Sequence, residues 1–271
     1  MADLSVVLLD FASVGYRTAM SATNPVYTTH NTRFAYQLLW SVAVFWKDLS
    51  ASDAWLPKLQ TQCKNAGLRI LQHRFTNQCC SLFLLSTRPP SAATEIVRGI
   101  KGRLQALVRN DRPDALQRNY DIHSAGSTTR QKTENYVANQ LQHHDIDIDR
   151  IRNCQLDDLQ RYRLTSHGRY RCNLHISLRF QERFLPLSEQ ALKSVRDVVR
   201  STAEKYDFLL SRIGLLDDHL HLVVGIPATR DPGSVGLSCM NNIAWVFDMQ
   251  PILRHSGYLG TIGEYDLGAI R

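Results

Sequence analysis

Two histidines one residue apart, His219 and His221, lie in "LLDDHLHLVVGIP" directly after Asp217 and Asp218. Side chains of an extended strand alternate between faces, so both imidazoles point the same way. Imidazole pairs are ordinary metal ligands, but two ligands do not complete a site. A chain with ten histidines also produces such a pair by chance often enough that the motif alone stays open. A second set lies earlier, in "TENYVANQLQHH". There Tyr136 and Gln140 are four apart, so on a helix a phenol and an amide share one face, one turn apart. Lys132 lies one turn before Tyr136.

Other polar residues have plainer readings. Asp217 and Asp218 fit a hairpin turn better than a metal contact. Tyr258 and Tyr265 stand near a glycine motif and read as packing or turn residues rather than nucleophiles. His143 and His144 follow the tyrosine helix, where a histidine suits the helix dipole. His175 faces either a site or the body of a sheet, and the sequence does not decide between them. Arg98, Lys101, Arg103, Arg109 and Arg112 form a basic stretch that is either a solvated face or a phosphate track. Trp40, Trp46, Trp55 and Trp245 read as core rather than as base-stacking platforms. No nucleophile-elbow context surrounds any serine, which sets a serine hydrolase aside.

The elements that must carry these residues occur twice. "RFAYQLLWSVAVFWKDLS" from Arg33 and "RYRCNLHISLRFQERFLP" from Arg169 both read as strands. Laid together without gaps, Arg33 meets Arg169, Leu38 meets Leu174 and Ser41 meets Ser177. Each run leads to a helix, "SDAWLPKLQTQCKNAG" or "SEQALKSVRDVVRSTAEKY", then to two apolar strands joined by a polar turn. A second helix follows in each, the first with Ile96, Ile100, Leu104 and Val108 on one face. Gly126 aligns with Gly263 at the end of each copy. The order implies two β-α-β-β-α-β units, an α+β fold with a ferredoxin-like or RRM-like antiparallel sheet in each. The expected divisions are an extension over 1–30, a unit over 31–145 with the tyrosine helix, a connector over 146–168, and a unit over 169–271 with the histidine strand.

The composition agrees with a folded chain. Of 271 residues, 44% are hydrophobic and 21% charged, and the formal net charge is +7. That excess of Lys and Arg favours a polyanionic partner. No run reaches the ~18 apolar residues of a membrane span. The opening residues lack a basic n-region, so no signal peptide is read there. The six cysteines form no C-x-x-C pair and suggest no disulfide framework. A reducing cytoplasm, with association to the nucleoid, is the expected location.

The strand "DHLHLVV", the approach "GYLGTIGEYD" and the "YVANQ" helix together resemble the single-tyrosine HUH transposases of insertion sequences and the REP-associated tyrosine transposases. With the repeated element order, the resemblance covers most of residues 31–271. It implies an HUH endonuclease fold and a divalent metal, Mg²⁺ or Mn²⁺, bound by His219, His221 and Gln140. It also implies that Tyr136 attacks a single-stranded DNA phosphodiester and keeps a 5′-phosphotyrosine link. In such proteins the tyrosine helix of one subunit commonly completes the histidine pair of the other. Residue chemistry agrees: a cation polarises a phosphoryl oxygen, and a covalent tyrosyl intermediate retains the bond energy needed for rejoining. Imidazoles alone would suit Zn²⁺ equally, so the metal's identity comes from the resemblance.

Neither copy holds a full set. The first carries Cys79 and Ser81 where the second has its histidines. The second stops at Arg271, two positions before its counterpart of Tyr136 on the glycine alignment. The expectation is a fused pseudo-dimer with one composite site: Tyr136 and Gln140 from one half, His219 and His221 from the other, with Lys132, Arg98, Lys101 and Arg103 as DNA contacts. The partner is then single-stranded or hairpin DNA, and the protein a monomer with an internal pseudo-dimer, further homodimerisation being open. The alternative is a non-catalytic single-stranded or hairpin DNA binder derived from such a transposase. An RNA-binding protein of two RRM-like modules is disfavoured, since neither copy has the RNP aromatics.

Overall fold

A computed structural model describes residues 24–48, 53–76, 79–143 and 157–263. In chain order these form β1 (Arg33–Gln37), β2 (Leu39–Trp46), α1 (Leu56–Asn65), β3 (Leu68–Thr76), β4 (Cys80–Thr87), α2 (Ala93–Val108), β5 (Leu116–Ala125) and α3 (Arg130–His143). Then come β6 (Arg163–Thr165), β7 (Gly168–Arg171), β8 (Asn173–Phe180), α4 (Glu189–Lys205), β9 (Leu209–Leu215), β10 (His219–Gly225), α5 (Pro232–Val246) and β11 (Leu253–Thr261). The architecture is α+β, built on two sheets. One runs β3-β4-β2-β5-β7-β6 and the other β1-β11-β8-β10-β9.

Each sheet has four antiparallel strands in the same succession, β3-β4-β2-β5 and β9-β10-β8-β11. Each is extended by a strand in parallel pairing. β1 lies beside β11, and β7 lies beside β5. The two long apolar runs that read as single strands are therefore each divided. Leu38 and Cys172 are buried where the chain passes from one sheet to the other. Their carbonyls accept from Thr87 N (3.4 Å) and Ile226 N (2.8 Å). Hydroxyls serve the next amides: Thr261 Oγ1 accepts from Leu39 N at 2.7 Å, and Ser124 Oγ accepts from Asn173 N at 2.9 Å. A backbone donor leaving its own ladder needs such a partner. Gly126 and Gly263 let the chains touch there: an added Cβ would lie 2.4 Å from Thr261 O and 2.2 Å from Ser124 O, respectively.

The registers correct the gapless alignment. β2–β5 shifts register after Val44 and β8–β11 after Leu178; β3–β4 shifts between Ile70 and Gln72, and β9–β10 between Val223 and Val224. Matching these irregularities sets Trp40, Val42 and Val44 against Leu174, Ile176 and Leu178, all six buried. The alignment by sequence was two residues out, which preserves the face because the side-chain period is two. On the neighbouring strand, Cys80 and Leu82 correspond to His219 and His221, not Cys79 and Ser81.

Helices cover each sheet. α1 and α2 pack together, against β3 and β5; α4 and α5 pack together, against β9 and β11. Ile96, Ile100, Leu104 and Val108 are all buried on α2, as their spacing implies. Ser188 caps α4 by accepting from Ala191 N, and Asp231 caps α5 by accepting from Ser234 N. Trp40 and Trp46 are core, but Trp245, expected there, is 51% exposed. The expected extension is partly packed: Tyr27 is buried, and its hydroxyl donates to Leu253 O at 2.9 Å. Within the expected connector, β6 pairs with β7 and Leu159 is buried against Val137, Val223 and Ile262. Residues 144–156, including His144 and Cys154, lie outside the described residues, as does Tyr265. Among the described residues no helix is long and apolar enough to cross a membrane.

Candidate functional site

α3 follows β5 of the first sheet yet packs on β9 and β10 of the second. Thr129 opens it, its hydroxyl accepting from Lys132 N at 3.2 Å. Thr133, Glu134, Val137 and Gln140 form its buried face. Few of these are apolar, so burial alone does not seat the helix. Glu134 supplies the rest: its carboxylate accepts from Ser211 Oγ on β9 and from Arg130 on its own helix.

The strand register explains what α3 covers. His221 pairs with Ser177 on one side and Gly214 on the other, so all three present to one face. A Cβ at Gly214 would lie 3.0 Å from Val137 Cγ1 and 3.3 Å from Gln140 Oε1. The missing side chain is what lets the helix approach. Gln140, 4% exposed, thus places its amide oxygen beside the strand pair holding His221, and that oxygen is buried without a hydrogen-bond partner. Tyr136, 52% exposed, stands edge-on to His221 with ring centroids 5.7 Å apart.

His175, undecided from sequence, belongs to this face. Its Nε2 lies 2.8 Å from His221 Nδ1, and its ring is 6.3 Å from Tyr136 and 5.8 Å from Tyr258. His219 lies 4.9 Å from His221, and its Nδ1 is 2.5 Å from Asp218 Oδ1. Asp218 is therefore more than a turn residue, and Arg179, paired in register with His219, meets it at 3.7 Å. Tyr258 donates to Gln37 Oε1 at 2.9 Å, in keeping with a packing role.

Burial pushes the His221 imidazole down to about 3, helped by the neighbouring His175 and His219, with Asp218 opposing. Burial alone lowers His175 to about 4. Both rings are neutral at pH 7 and keep a lone pair, as a ligand must. Burial would raise the Asp218 carboxyl, but the hydrogen bond and charge of His219 hold it below the ordinary carboxylate range.

The basic candidates are not gathered here. Lys101 on α2 spans to β5, donating to the carbonyls of Gln117 and Arg118 at 2.7 Å and of Asn119 at 3.2 Å. Its ammonium thus braces that strand. Arg103 donates to Gly99 O at 2.9 Å on the same helix. Arg98 is exposed on α2. Lys132 is exposed on α3, one turn from Tyr136, and is the cation of that group nearest in sequence to the site. Sequence reasoning missed Glu134, Gly214 and Arg179, because the pairing that gives them meaning crosses between distant segments.

Residues 168–248 match the family model described as "Transposase IS200 like". That segment runs from β7 through α5 and contains His175, His219 and His221; Tyr136 and Gln140 lie outside it. The match supports a transposase-related, DNA-processing function. No curated protein matches the chain. Among solved structures, a protein provisionally described as a glycine cleavage system transcriptional repressor shows 11% identity, covering 84% of this chain and 98% of its own, at a TM-score of 0.24. A protein of unknown function from Galdieria sulphuraria shows 8% identity over 83% and 98%, at a TM-score of 0.22. Likeness at that level carries no argument about fold or function.

Proposed function

We propose that this chain is a metal-dependent single-stranded DNA endonuclease and strand transferase, built as a fused pseudo-dimer with one composite site. The observation that carries it is the seat of α3. A helix that follows the first sheet sets Tyr136 edge-on to His221 and Gln140 against Gly214, the residue paired with His221, and the histidines lie in the segment matched by the transposase model. The reciprocal placement of β1 and β7 supports the pseudo-dimer, since strands exchanged between copies are what fusion of a twofold dimer would leave. Units at 31–145 and 169–271 fit this reading, with residues 24–30 and β6 packed around them.

The residues present fit a divalent cation. Among the described residues no three His, Cys, Asp or Glu side chains are grouped to hold a metal ion. A neutral amide would complete the set instead: the unpartnered Gln140 Oε1 packs against Gly214, the residue paired with His221, and His219 shares the strand face of His221. Two imidazoles and an amide oxygen would hold a divalent cation, Mn²⁺ or Mg²⁺ by the family resemblance, and bound there such an ion would polarise a phosphoryl oxygen. The chain's own groups do the remainder. The Tyr136 hydroxyl loses its proton to water and its oxygen attacks the phosphorus. The phosphorus bond to the 3′ oxygen breaks and that oxygen takes a proton from water, leaving a 3′ hydroxyl and a 5′-phosphotyrosine. A 3′ hydroxyl of another strand then displaces the tyrosine, so rejoining needs no nucleotide. Lys132 and Arg179 flank the face and neutralise backbone phosphates.

The test is a denaturing gel of protein incubated with single-stranded hairpin DNA and Mn²⁺. A covalent adduct is expected with the native chain and not with Tyr136→Phe, which should still bind the DNA. Binding without an adduct in either protein would favour the binding-only reading.

A further inference from the structure

The His175–His221 contact bears on which nitrogen of His221 can act as a ligand. His221 Nδ1 faces His175 Nε2 at 2.8 Å, with the rings nearly parallel at 22°. One proton must occupy that contact, and its owner decides the chemistry. If His175 donates, His221 carries its own proton on Nε2, and neither nitrogen offers a lone pair to a cation. If His221 donates from Nδ1, its Nε2 lone pair is exposed to the site. Asp218 resolves the same question for His219, since a carboxylate at Nδ1 can only accept. His221 has no carboxylate there; it has a second imidazole.

We propose that His175 is a positioning residue, which accepts the Nδ1 proton of His221 and so fixes His221 as the Nε2-ligating tautomer. The register supports it. His175 and Ser177 are alternate residues on β8, facing His221 from the adjoining strand, and the two rings stack with centroids 5.0 Å apart. The Nε2 of His175 is spent on the contact with His221 Nδ1, so in this arrangement His175 acts through His221. Its own proton then sits on Nδ1, which points away from the shared contact. The first sheet lacks both members: Ser41 corresponds to His175 and Leu82 to His221. The two residues are absent together, as a functional pair would be.

The inference rests on His221 as a ligand, but its first readout needs no metal. In metal-free protein with ¹⁵N-labelled histidine, the His221 signals, assigned by their loss in His221→Asn, should report a proton on Nδ1. In His175→Phe, which keeps a ring in the space, the proton should move to Nε2. Apparent Mn²⁺ affinity, read by electron paramagnetic resonance, should fall by about tenfold or more in His175→Phe. His175→Gln retains an acceptor and should keep most of the affinity. A native His221 protonated on Nε2, or an unchanged tautomer in His175→Phe, would overturn the proposal. A native chain that shows the Nδ1 tautomer but binds no Mn²⁺ would instead sink the metal-dependent function and leave the tautomer assignment standing.

Discussion

Gly214 is the residue on which the closeness of the site depends. Any side chain there meets Val137 and Gln140 within 3.3 Å. Gly214→Val should lift α3, cost about 1–3 kcal/mol through overpacking, and weaken Mn²⁺ binding; an unchanged melting temperature and metal titration would refute this. Its role was illegible in sequence, because a glycine inside a strand states only that something comes near. His219 and His221 were legible by contrast, since alternation fixes their common face whatever the fold. A separate residue adds to the acid sensitivity that the lowered His175 and His221 imidazoles already impose. His73 sits against Trp55 and Phe83, with centroids 5.1 and 4.9 Å away, and its Nε2 is buried without a partner. Burial lowers its proton affinity, against a smaller opposing pull from Asp53. The unfolded chain then binds the proton more readily, so this contribution is full above the unfolded value of 6.5 and is lost as pH falls below it. His73→Phe should flatten the acid side of a plot of melting temperature against pH, and an unaltered slope would count against it.

At the scale of elements, the helices were legible and the sheet partners were not. Ile96, Ile100, Leu104 and Val108 announce a buried helical stripe. The strand runs did not announce that Leu38 and Cys172 divide them between two sheets, because apolar alternation continues unbroken through both residues. A slip of two residues between the copies was equally invisible, since it keeps every side chain on its face. α3 was legible as a helix from the spacing of Tyr136 and Gln140, but its seat was not. That seat depends on Glu134, whose carboxylate joins Ser211 and Arg130. Glu134→Ala would leave both partners unmatched, at a cost of about 2–3 kcal/mol. Hydrogen exchange should rise throughout α3 while the strands of the first sheet stay protected. Loss confined to the ends of α3 would mean that Val137 alone holds it.

For the whole molecule, the charge of +7 and the proposed substrate make a common prediction. Binding to single-stranded hairpin DNA should weaken steeply with salt, with a log–log slope of about −0.7 per phosphate contacted. Affinity indifferent to salt, or greater for plain duplex, would contradict a single-strand site. The larger claim is that two distant parts of the chain make one site, and Gln140 tests it best because it lies on α3, outside the matched segment that carries the histidines. The measurement is Mn²⁺ binding by calorimetry for the native protein, His219→Ala/His221→Ala and Gln140→Ala. The account predicts that the histidine pair abolishes binding and that Gln140→Ala alone weakens it by about tenfold, with the fold intact by circular dichroism. Full-strength binding in Gln140→Ala would confine the site to the histidine strand and contradict the composite site.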